Sequence, residues 1–299
     1  MSWLVYAIGA QFFYTISTFV DRFLIEKRVN DTVTLTILSG SVSFVIGLAV
    51  FAFQGLPLFS VGQTILIILG GAIIEFAFLP YYKAILMDDP SRVVPIYQTI
   101  PLFVLALSFI FIGETLTPVQ AGGFALILVG SFVLALKKLG MGVFRLRKSF
   151  WLMIASSLMV AIALVVFKFV VDIQGFWDTL AYEFIGAGFG ALILFSLPGQ
   201  FSKMKGTLKG VAGKTAAVIG ANELLWIAAR LSSFFASSLA PVSLVAIVGG
   251  VQPLLIFLGG TFLSIWFPNI LKEDLDGSVV KLKIAAIILV FFGVWLINI

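Results

Sequence analysis

The sequence of 299 residues contains no cysteine and no histidine. Thiol nucleophiles, disulfide bonds and metal sites built from cysteine and histidine are therefore excluded, and so is a histidine proton shuttle. Charged residues are also scarce, at 11% of the chain, against about 25% in a typical soluble domain. Any proton transfer must use aspartate, glutamate, lysine or tyrosine, and we expect neither a metal site nor a cofactor.

Long apolar runs fill the chain instead. Hydrophobic residues make up 61% of the sequence, and the mean hydropathy is +1.16. A helix needs about 20 mainly apolar residues to cross the hydrocarbon layer of a bilayer, and ten segments have this character. We therefore predict an all-α integral membrane protein with ten transmembrane helices. The predicted spans are 2–20, 32–53, 63–84, 91–112, 118–136, 150–171, 178–197, 213–237, 241–266 and 281–298.

The two halves of the sequence resemble each other in the same order. DTVTLTILSG, which begins at Asp31, resembles DTLAYEFIGA, which begins at Asp178, and GGFALILVGSFVL resembles AAIILVFFGVWLI near the end of each half. This predicts two five-helix repeats, residues 1–140 and 148–299. Since five is odd, the second repeat enters the membrane from the opposite side. The repeats are therefore predicted to be inverted, which is a common plan among secondary transporters.

The basic residues support this alternation. Apart from Lys168 and Arg230, every lysine and arginine falls in or beside a loop that joins span one to two, three to four, five to six, seven to eight or nine to ten. The intervening loop QGLPLFSVGQ has no charge at all. By the positive-inside rule the basic loops lie in the cytoplasm, so both termini are predicted outside the cell membrane. The net charge of +5 thus orients the chain in the bilayer, and no nucleic-acid partner is expected.

One segment carries a family resemblance. FIGETLTPVQAGGFALILVGSFVLA, residues 111–135, resembles the Gly-Glu signature and following helix of the drug/metabolite transporter superfamily, EamA type. Pro101 and Pro253 fit the same pattern, but the second repeat has FPNILKEDLDGSVVKLK in place of a Gly-Glu pair, and family members usually have cytoplasmic termini. The resemblance implies a transporter of small metabolites rather than an enzyme. It also implies that spans one to four and six to nine surround a cavity, with spans five and ten outside.

Glu75 lies in the middle of span three, about 15 Å from either membrane face at a rise of about 1.5 Å per residue. A central charge costs about 2.5–3.5 kcal/mol on insertion scales, so it faces a wet cavity or an ion-pair partner. On span eight, Glu223, Trp226 and Arg230 share one helical stripe, and Asn222 is adjacent. Glu75 and Glu223 are candidates for a substrate or proton site. A structural pair between Glu75 and Arg230 is the alternative, and Arg230 has two further interpretations, snorkelling to an interface or binding an anionic substrate.

Spans four and nine are interrupted at matching places, by proline in VPIYQTIP and by glycine and proline in GGVQP. Proline removes a helical hydrogen bond, and broken helices at equivalent places in two repeats indicate a transporter site. Tyr97, Gln98 and Gln252 lie in these segments and are candidate cavity residues, although glycine and proline are frequent in membrane helices generally. Further candidates are Glu183 on span seven and, on span one, Gln11 and Tyr14, for which interhelical hydrogen bonding is the other interpretation.

Glu114 has a structural interpretation. Thr117, Pro118 and Gln120 are typical of an N-cap, a first-turn proline and a capping-box glutamine. Glu114 precedes them, near a helix N-terminus, where negative charge is favoured.

Together these patterns predict a secondary transporter that moves a small metabolite by alternating access, with protons on embedded carboxylates as the candidate coupling ion. The alternative is a lipid-handling or non-transporting scaffold protein of the membrane. The substrate, the direction of transport and the oligomeric state stay open, and a monomer is compatible with the sequence.

Overall fold

The computed structural model describes residues 2–27, 31–55, 57, 59–87, 96–135, 147–209, 211, 213–266 and 277–299, and within these ranges all regular secondary structure is helical. The predicted all-α class is confirmed for this part of the chain. The helices are α1 (Ser2–Lys27), α2 (Thr32–Gln54), α3 (Val61–Met87), α4 (Ile100–Phe111), α5 (Pro118–Ala135), α6 (Lys148–Gln174), α7 (Phe176–Phe195), α8 (Gln200–Lys209), α9 (Gly213–Leu239), α10 (Val242–Val248), α11 (Gln252–Trp266) and α12 (Gly277–Leu296), with a 3₁₀ turn at Gly249–Val251.

Six segments are long and apolar enough to cross a bilayer: Ser2–Asp21 of α1, the whole of α2, α3, α6 and α7, and the Val242–Phe262 stretch of α10 and α11. Shorter apolar helices are α4, most of α5 and the Lys283–Leu296 part of α12. The helix α9 is in neither group, and it has Glu223 and Arg230 near its middle. The described residues therefore support a multi-pass membrane protein, and the count of ten spans stays a prediction.

The helices pack in pairs that link the two halves of the sequence. The helix α1 runs along α9, α3 along α6, α2 along α7 and α5 along α12. Each pair joins a helix of residues 1–140 to a helix of residues 148–299. The halves therefore share one interior, in which side chains of α3 meet those of α7 and α9.

The helix α7 is held between α2 and α3 by small residues. Gly71 of α3 packs on the backbone of Glu183, and Gly186 of α7 packs on the backbone of Ile68, so neither glycine has room for a Cβ atom. On the other side, Gly40 of α2 lies against α7 in the same way. Small residues let membrane helices approach closely, and van der Waals packing then holds them together. These contacts fix the height of Glu183 relative to α3.

The pair α5 and α12 is also packed through glycine. A Cβ atom on Gly123 would lie 2.8 Å from the backbone oxygen of Gly293, and one on Gly130 would lie 2.8 Å from that of Ala286. Elsewhere on these helices large apolar side chains such as Phe292 are exposed. A close-packed pair with an apolar exterior fits the expected place of spans five and ten outside the cavity.

The predicted interruptions of spans four and nine are present. Before α4 the chain turns at Gln98 and Thr99, where the Thr99 N–H donates to the carbonyl oxygen of Ile96 at 3.0 Å. In span nine, α10 ends at the 3₁₀ turn and α11 begins at Gln252. Residues 91–95, at the start of predicted span four, lie outside the described residues.

Glu114 caps a helix of the other half. Its carboxylate accepts hydrogen bonds from the backbone N–H of Val242 at 2.8 Å, the backbone N–H of Ser243 at 3.2 Å and the Ser243 hydroxyl at 2.9 Å. The first turn of α10 thereby gains partners for N–H groups that no helical carbonyl reaches. The predicted capping box also forms, because Thr117 and Gln120 exchange bonds of 3.1 and 3.2 Å. Glu114 therefore has a structural contact, but the helix it caps is α10 rather than α5.

Candidate functional site

Arg230 of α9 faces two carboxylates from different helices in the middle of the bundle. Its Nη2 group forms a short ion pair with Glu183 of α7, and its Nη1 group lies 3.4 Å from Oε1 of Glu75 on α3. Nη1 also lies 3.4 Å from the hydroxyl of Ser43 on α2. One guanidinium thus joins α2, α3 and α7 to α9. We call Glu75, Glu183 and Arg230 the triad.

The triad is enclosed by protein. The exposed fraction is 0% for Glu75, 1% for Glu183 and 6% for Arg230. The guanidinium carbon lies 5.0 Å from the ring centre of Phe184 and 5.7 Å from that of Phe234, so aromatic faces cover it. Buried charges are costly unless they are paired, which explains why both carboxylates contact the one guanidinium.

The triad has unused hydrogen-bonding groups. Among the described residues, Oε2 of Glu75, Oε2 of Glu183 and Nε of Arg230 are buried with no hydrogen-bond partner. If all three side chains are ionised, two negative charges face one positive charge. An excess negative charge in such surroundings favours uptake of a proton or a cation.

A second polar cluster joins the end of α1 to α9. Oδ1 of Asp21 accepts a hydrogen bond from Nδ2 of Asn222 at 2.7 Å, and Oδ2 of Asp21 accepts one from the indole N–H of Trp226 at 3.3 Å. The hydroxyl of Ser17 donates to Oδ1 of Asn222 at 2.8 Å. These bonds hold a carboxylate beside Glu223, which follows Asn222 on the same helix.

A small cavity separates α2 from α9 at this cluster. Its volume is about 20 Å³, which is enough for one water molecule. Two carboxylates and three aromatic rings line it, and Glu223 and Tyr82 in its wall are electrostatic neighbours of Glu75. The cavity is therefore next to the triad. Its lining residues are Asp21, Leu24, Leu35, Thr36, Ser39, Phe78, Tyr82, Ile219, Asn222, Glu223 and Trp226.

Two apolar barriers of unequal size flank these polar groups. Leu24, Leu35 and Ile219 pack together one helical turn nearer the basic loops than Asp21 and Glu223, and we call them the thin barrier. A larger cluster packs around the triad on the side of the charge-poor loops, and we call it the thick barrier. Its buried members are Ile67, Phe167, Val170, Val171, Leu180, Phe184, Ile227 and Phe234.

The contacts between helices are also closer on the side of the thick barrier than on the side of the thin barrier. The helix α3 packs closely along α7, whereas α9 touches α2 at only a few residues. The cavity occupies the space between α2 and α9. The interior is therefore tightly closed on one side of the triad and loosely closed on the other.

Comparison with known proteins adds a family likeness. A family model described as the EamA-like transporter family matches residues 1–136, which include α1 to α5. A solved crystal structure shares the fold over 99% of this chain and 96% of its own, with a TM-score of 0.70 and 16% sequence identity. No curated protein matches the chain in sequence. The resemblance stated from the sequence is confirmed, and the family suggests a membrane transporter rather than an enzyme.

The structure places the predicted site residues in three groups. Glu75, Glu183 and Arg230 meet as the triad. Asn222, Glu223 and Trp226 line the cavity. The other five lie around these groups and have partners or positions of their own: Gln11, Tyr14, Tyr97, Gln98 and Gln252.

On α1, Tyr14 packs edge-on against Trp226 with 5.0 Å between ring centres. Gln252 at the start of α11 donates to the hydroxyl of Thr18 at 3.3 Å, and Gln11 is buried. Tyr14 therefore contacts α9, and Gln252 contacts α1. Gln11, Tyr14 and Gln252 stay candidate cavity residues.

Near the interruption of span four, Tyr97 packs against Tyr81 with 5.0 Å between ring centres, in an apolar cluster that includes Met153. Gln98 is half-buried in the turn before α4. Neither side chain is among the cavity-lining residues of the described chain. Tyr97 and Gln98 therefore stay candidates that lie outside the wall of the cavity between α2 and α9.

Asp21 and Ser43, which contact the candidate site, were not singled out from the sequence. A usable signal was present for Asp21. Tyr14, Thr18 and Asp21 follow one another at i, i+4 and i+7, a polar stripe on an apolar helix that faces a neighbouring helix rather than lipid.

Proposed function

We propose that this protein is a secondary transporter that carries a small metabolite across the cell membrane by alternating access. The main support for the proposal is that α3 packs closely along α7, whereas α2 and α9 touch at only a few residues. A static membrane scaffold has no need for a polar cavity beside buried carboxylates, whereas a carrier needs both.

The difference between these two helix contacts has a simple explanation if the two predicted repeats are inverted. The helices α3 and α9 are then equivalent, and so are α7 and α2. The α3–α7 and α9–α2 contacts become a symmetric pair of which one is closed and the other parted. Exchanging the two would close the cavity at the basic loops and open a matching one at the charge-poor loops, which is how inverted repeats alternate access.

The loop charges indicate the side of the membrane toward which the cavity opens. The cavity lies behind the thin barrier, on the side of the ends of α1 and α9 that lead into basic loops. By the positive-inside rule these loops are cytoplasmic. In the proposed cycle, the structure therefore represents a nearly closed state that opens toward the cytoplasm, and protons on the buried carboxylates are the coupling ion.

The experiment begins by finding a solute. Purified protein is screened by thermal shift against amino acids, nucleosides, sugars, organic acids and polyamines, because a solute that binds only the folded state raises the melting temperature. Uptake of the radiolabelled solute is then measured in proteoliposomes. Flux above that of empty vesicles is expected. A bound solute that is never transported would favour the lipid-handling or scaffold alternative.

Cross-links then test alternation. The pair Leu35→Cys with Ile219→Cys crosses the thin barrier, and the pair Ile67→Cys with Leu180→Cys crosses the thick barrier. The absence of native cysteine makes a short bifunctional thiol reagent specific for each pair. Either cross-link should reduce flux to the level of empty vesicles, because each barrier must open once per cycle.

A matched control joins helices that are expected to stay together. Ile127→Cys with Val290→Cys links α5 to α12 within one packed cluster, and this cross-link should leave flux unchanged. Undiminished flux with the thick barrier locked would overturn alternating access.

A further inference from the structure

We propose that the two carboxylates of the triad have different roles: Glu75 binds and releases the proton, and Glu183 is the permanent counter-ion of Arg230. The use of this proton to drive a solute rests on the transport function proposed above. The division of roles itself rests on the geometry of the triad.

Charge balance requires one proton. Two carboxylates and one guanidinium leave one excess negative charge, and one oxygen of each carboxylate is buried without a partner among the described residues. Two carboxylates that share a buried site do not both stay ionised, because each destabilises the charged form of the other. One added proton brings the triad to neutrality.

The contacts decide which carboxylate takes the proton. Glu183 makes the short ion pair with Nη2, whereas Glu75 lies 3.4 Å from Nη1, at the limit of a hydrogen bond. The backbone of Glu183 is also locked, because Gly71 packs directly on its carbonyl group. Glu183 is therefore held against Arg230, and Glu75 is the weaker partner that gains more from neutralisation.

The charges around Glu75 leave Arg230 as the single nearby cation among the described residues. On α6, Lys168 pairs instead with Asp172 at 2.8 Å, toward the end of that helix. On α2, the contact is the uncharged Ser43. The other titratable groups that interact with the triad, from α1, α3 and α9, are acidic or phenolic: Tyr14, Tyr82 and Glu223. Asp21 is a neighbour of Tyr82 and Glu223.

The cavity brings water close to Glu75. Glu223 and Tyr82 line the cavity and are electrostatic neighbours of Glu75, and the space is large enough for one water molecule. When α2 and α9 part and water reaches the triad, a hydronium ion transfers its proton to Oε2 of Glu75, and a water molecule remains. The O–H bond breaks when Glu75 returns the proton to water, and Glu183 stays ionised throughout.

Neutralisation of the triad by a proton is expected to change the position of α9 relative to α2. An excess charge at the triad favours hydration, so it stabilises the arrangement in which α2 and α9 part and water enters. The neutral triad tolerates enclosure. Proton uptake by Glu75 is therefore expected to favour the closed interior, and proton release to favour the open one.

Infrared spectroscopy of purified protein in nanodiscs tests the assignment without any solute. A neutral carboxylic acid has a carbonyl stretch that a carboxylate lacks. Wild-type protein should show such a band for Glu75 that disappears as the pH is raised. The band should be absent in Glu75→Gln and retained in Glu223→Gln, with Glu114→Gln as the control for a carboxylate outside the triad.

Conservative variants distinguish the roles of the two carboxylates. They also provide a test if Glu75→Gln folds poorly. Glu75→Asp keeps an acid at the position and should displace the band in frequency, whereas Glu183→Asp should leave the frequency unchanged. Displacement by Glu183→Asp instead would reverse the roles and overturn the proposal. Loss of the band in Glu223→Gln, or a band that persists at every pH, would overturn it as well.

The outcome is independent of the transport measurement. A Glu75 band that titrates in a protein without solute flux would support the proton site and contradict the proposed carrier function. Solute flux without that band would keep a carrier and remove Glu75 as its proton site.

Discussion

Gly71 on α3 lies directly on the carbonyl group of Glu183 on α7, so that a Cβ atom at residue 71 would overlap the carbonyl oxygen. The same glycine lies one helical turn from Glu75. Close packing of α3 on α7 therefore requires that residue 71 has no side chain, as it also requires at Gly186.

Gly71→Ala should lower the melting temperature and reduce transport. Overpacking a close contact costs about 1–3 kcal/mol, and the backbone of α7 cannot yield easily because α2 holds its other side. Gly122→Ala is the matched control, since nothing lies within 4 Å of a Cβ atom at that glycine of α5. The control should keep or slightly raise the melting temperature because alanine favours helix. Equal melting temperatures for the two variants would contradict this account.

Glu114 should matter for stability and not for proton binding. Glu114→Ala removes the acceptor of three hydrogen bonds at the first turn of α10, and loss of a helix cap costs about 0.5–2 kcal/mol. Glu114→Gln keeps one oxygen and should fall between the alanine variant and wild type in melting temperature. Flux per folded molecule should match wild type in both variants. A folded variant with abolished flux would place Glu114 in the transport path.

Arg230→Gln should be strongly destabilising at alkaline pH, because Glu183 then keeps a buried charge without its counter-ion. Breaking a buried pair costs about 3–5 kcal/mol in soluble proteins. The double variant Arg230→Gln with Glu183→Gln should recover most of the lost melting temperature at a pH where Glu75 keeps its proton, since no uncompensated charge then remains in the triad.

Lys168→Gln is the control for this comparison. Lys168 is itself buried, but its partner Asp172 has a side chain that is 43% exposed, so Lys168→Gln leaves a carboxylate that water can solvate, and such a pair contributes only about 0–1 kcal/mol. Its melting temperature should change little. If Arg230→Gln were no worse than Lys168→Gln, the triad would not be a buried ion pair.

The loop charges predict the orientation of the chain. Ser60→Cys lies in the charge-poor loop before α3, and Ser202→Cys lies on α8 among lysines; both positions are exposed. A membrane-impermeant maleimide should label Ser60→Cys in intact cells and label Ser202→Cys only after permeabilisation. The opposite pattern would place both termini in the cytoplasm, as is usual in the resembling family.

The sequence by itself determined the local features. Apolar runs located the helices, because any segment in hydrocarbon must satisfy its own backbone. Proline and glycine marked the turn at Gln98 and Thr99 and the 3₁₀ turn at Gly249–Val251, because they act on the backbone where they stand. The capping box of Thr117 and Gln120 was readable for the same reason, since its two members are three residues apart.

Only the tertiary structure decided which helices meet. In a soluble helix an apolar stripe reveals the buried face, but in a bilayer lipid and protein interior are both apolar, so the faces of α3 or α7 look alike in sequence. The partner of Glu114 lies 128 residues away and Glu183 lies 47 residues from Arg230, and no local pattern encodes such pairings. The energetic cost of placing Glu75 in the membrane indicated that it requires a partner. Only the packing of α3, α7 and α9 determined that Glu75 shares Arg230 with Glu183.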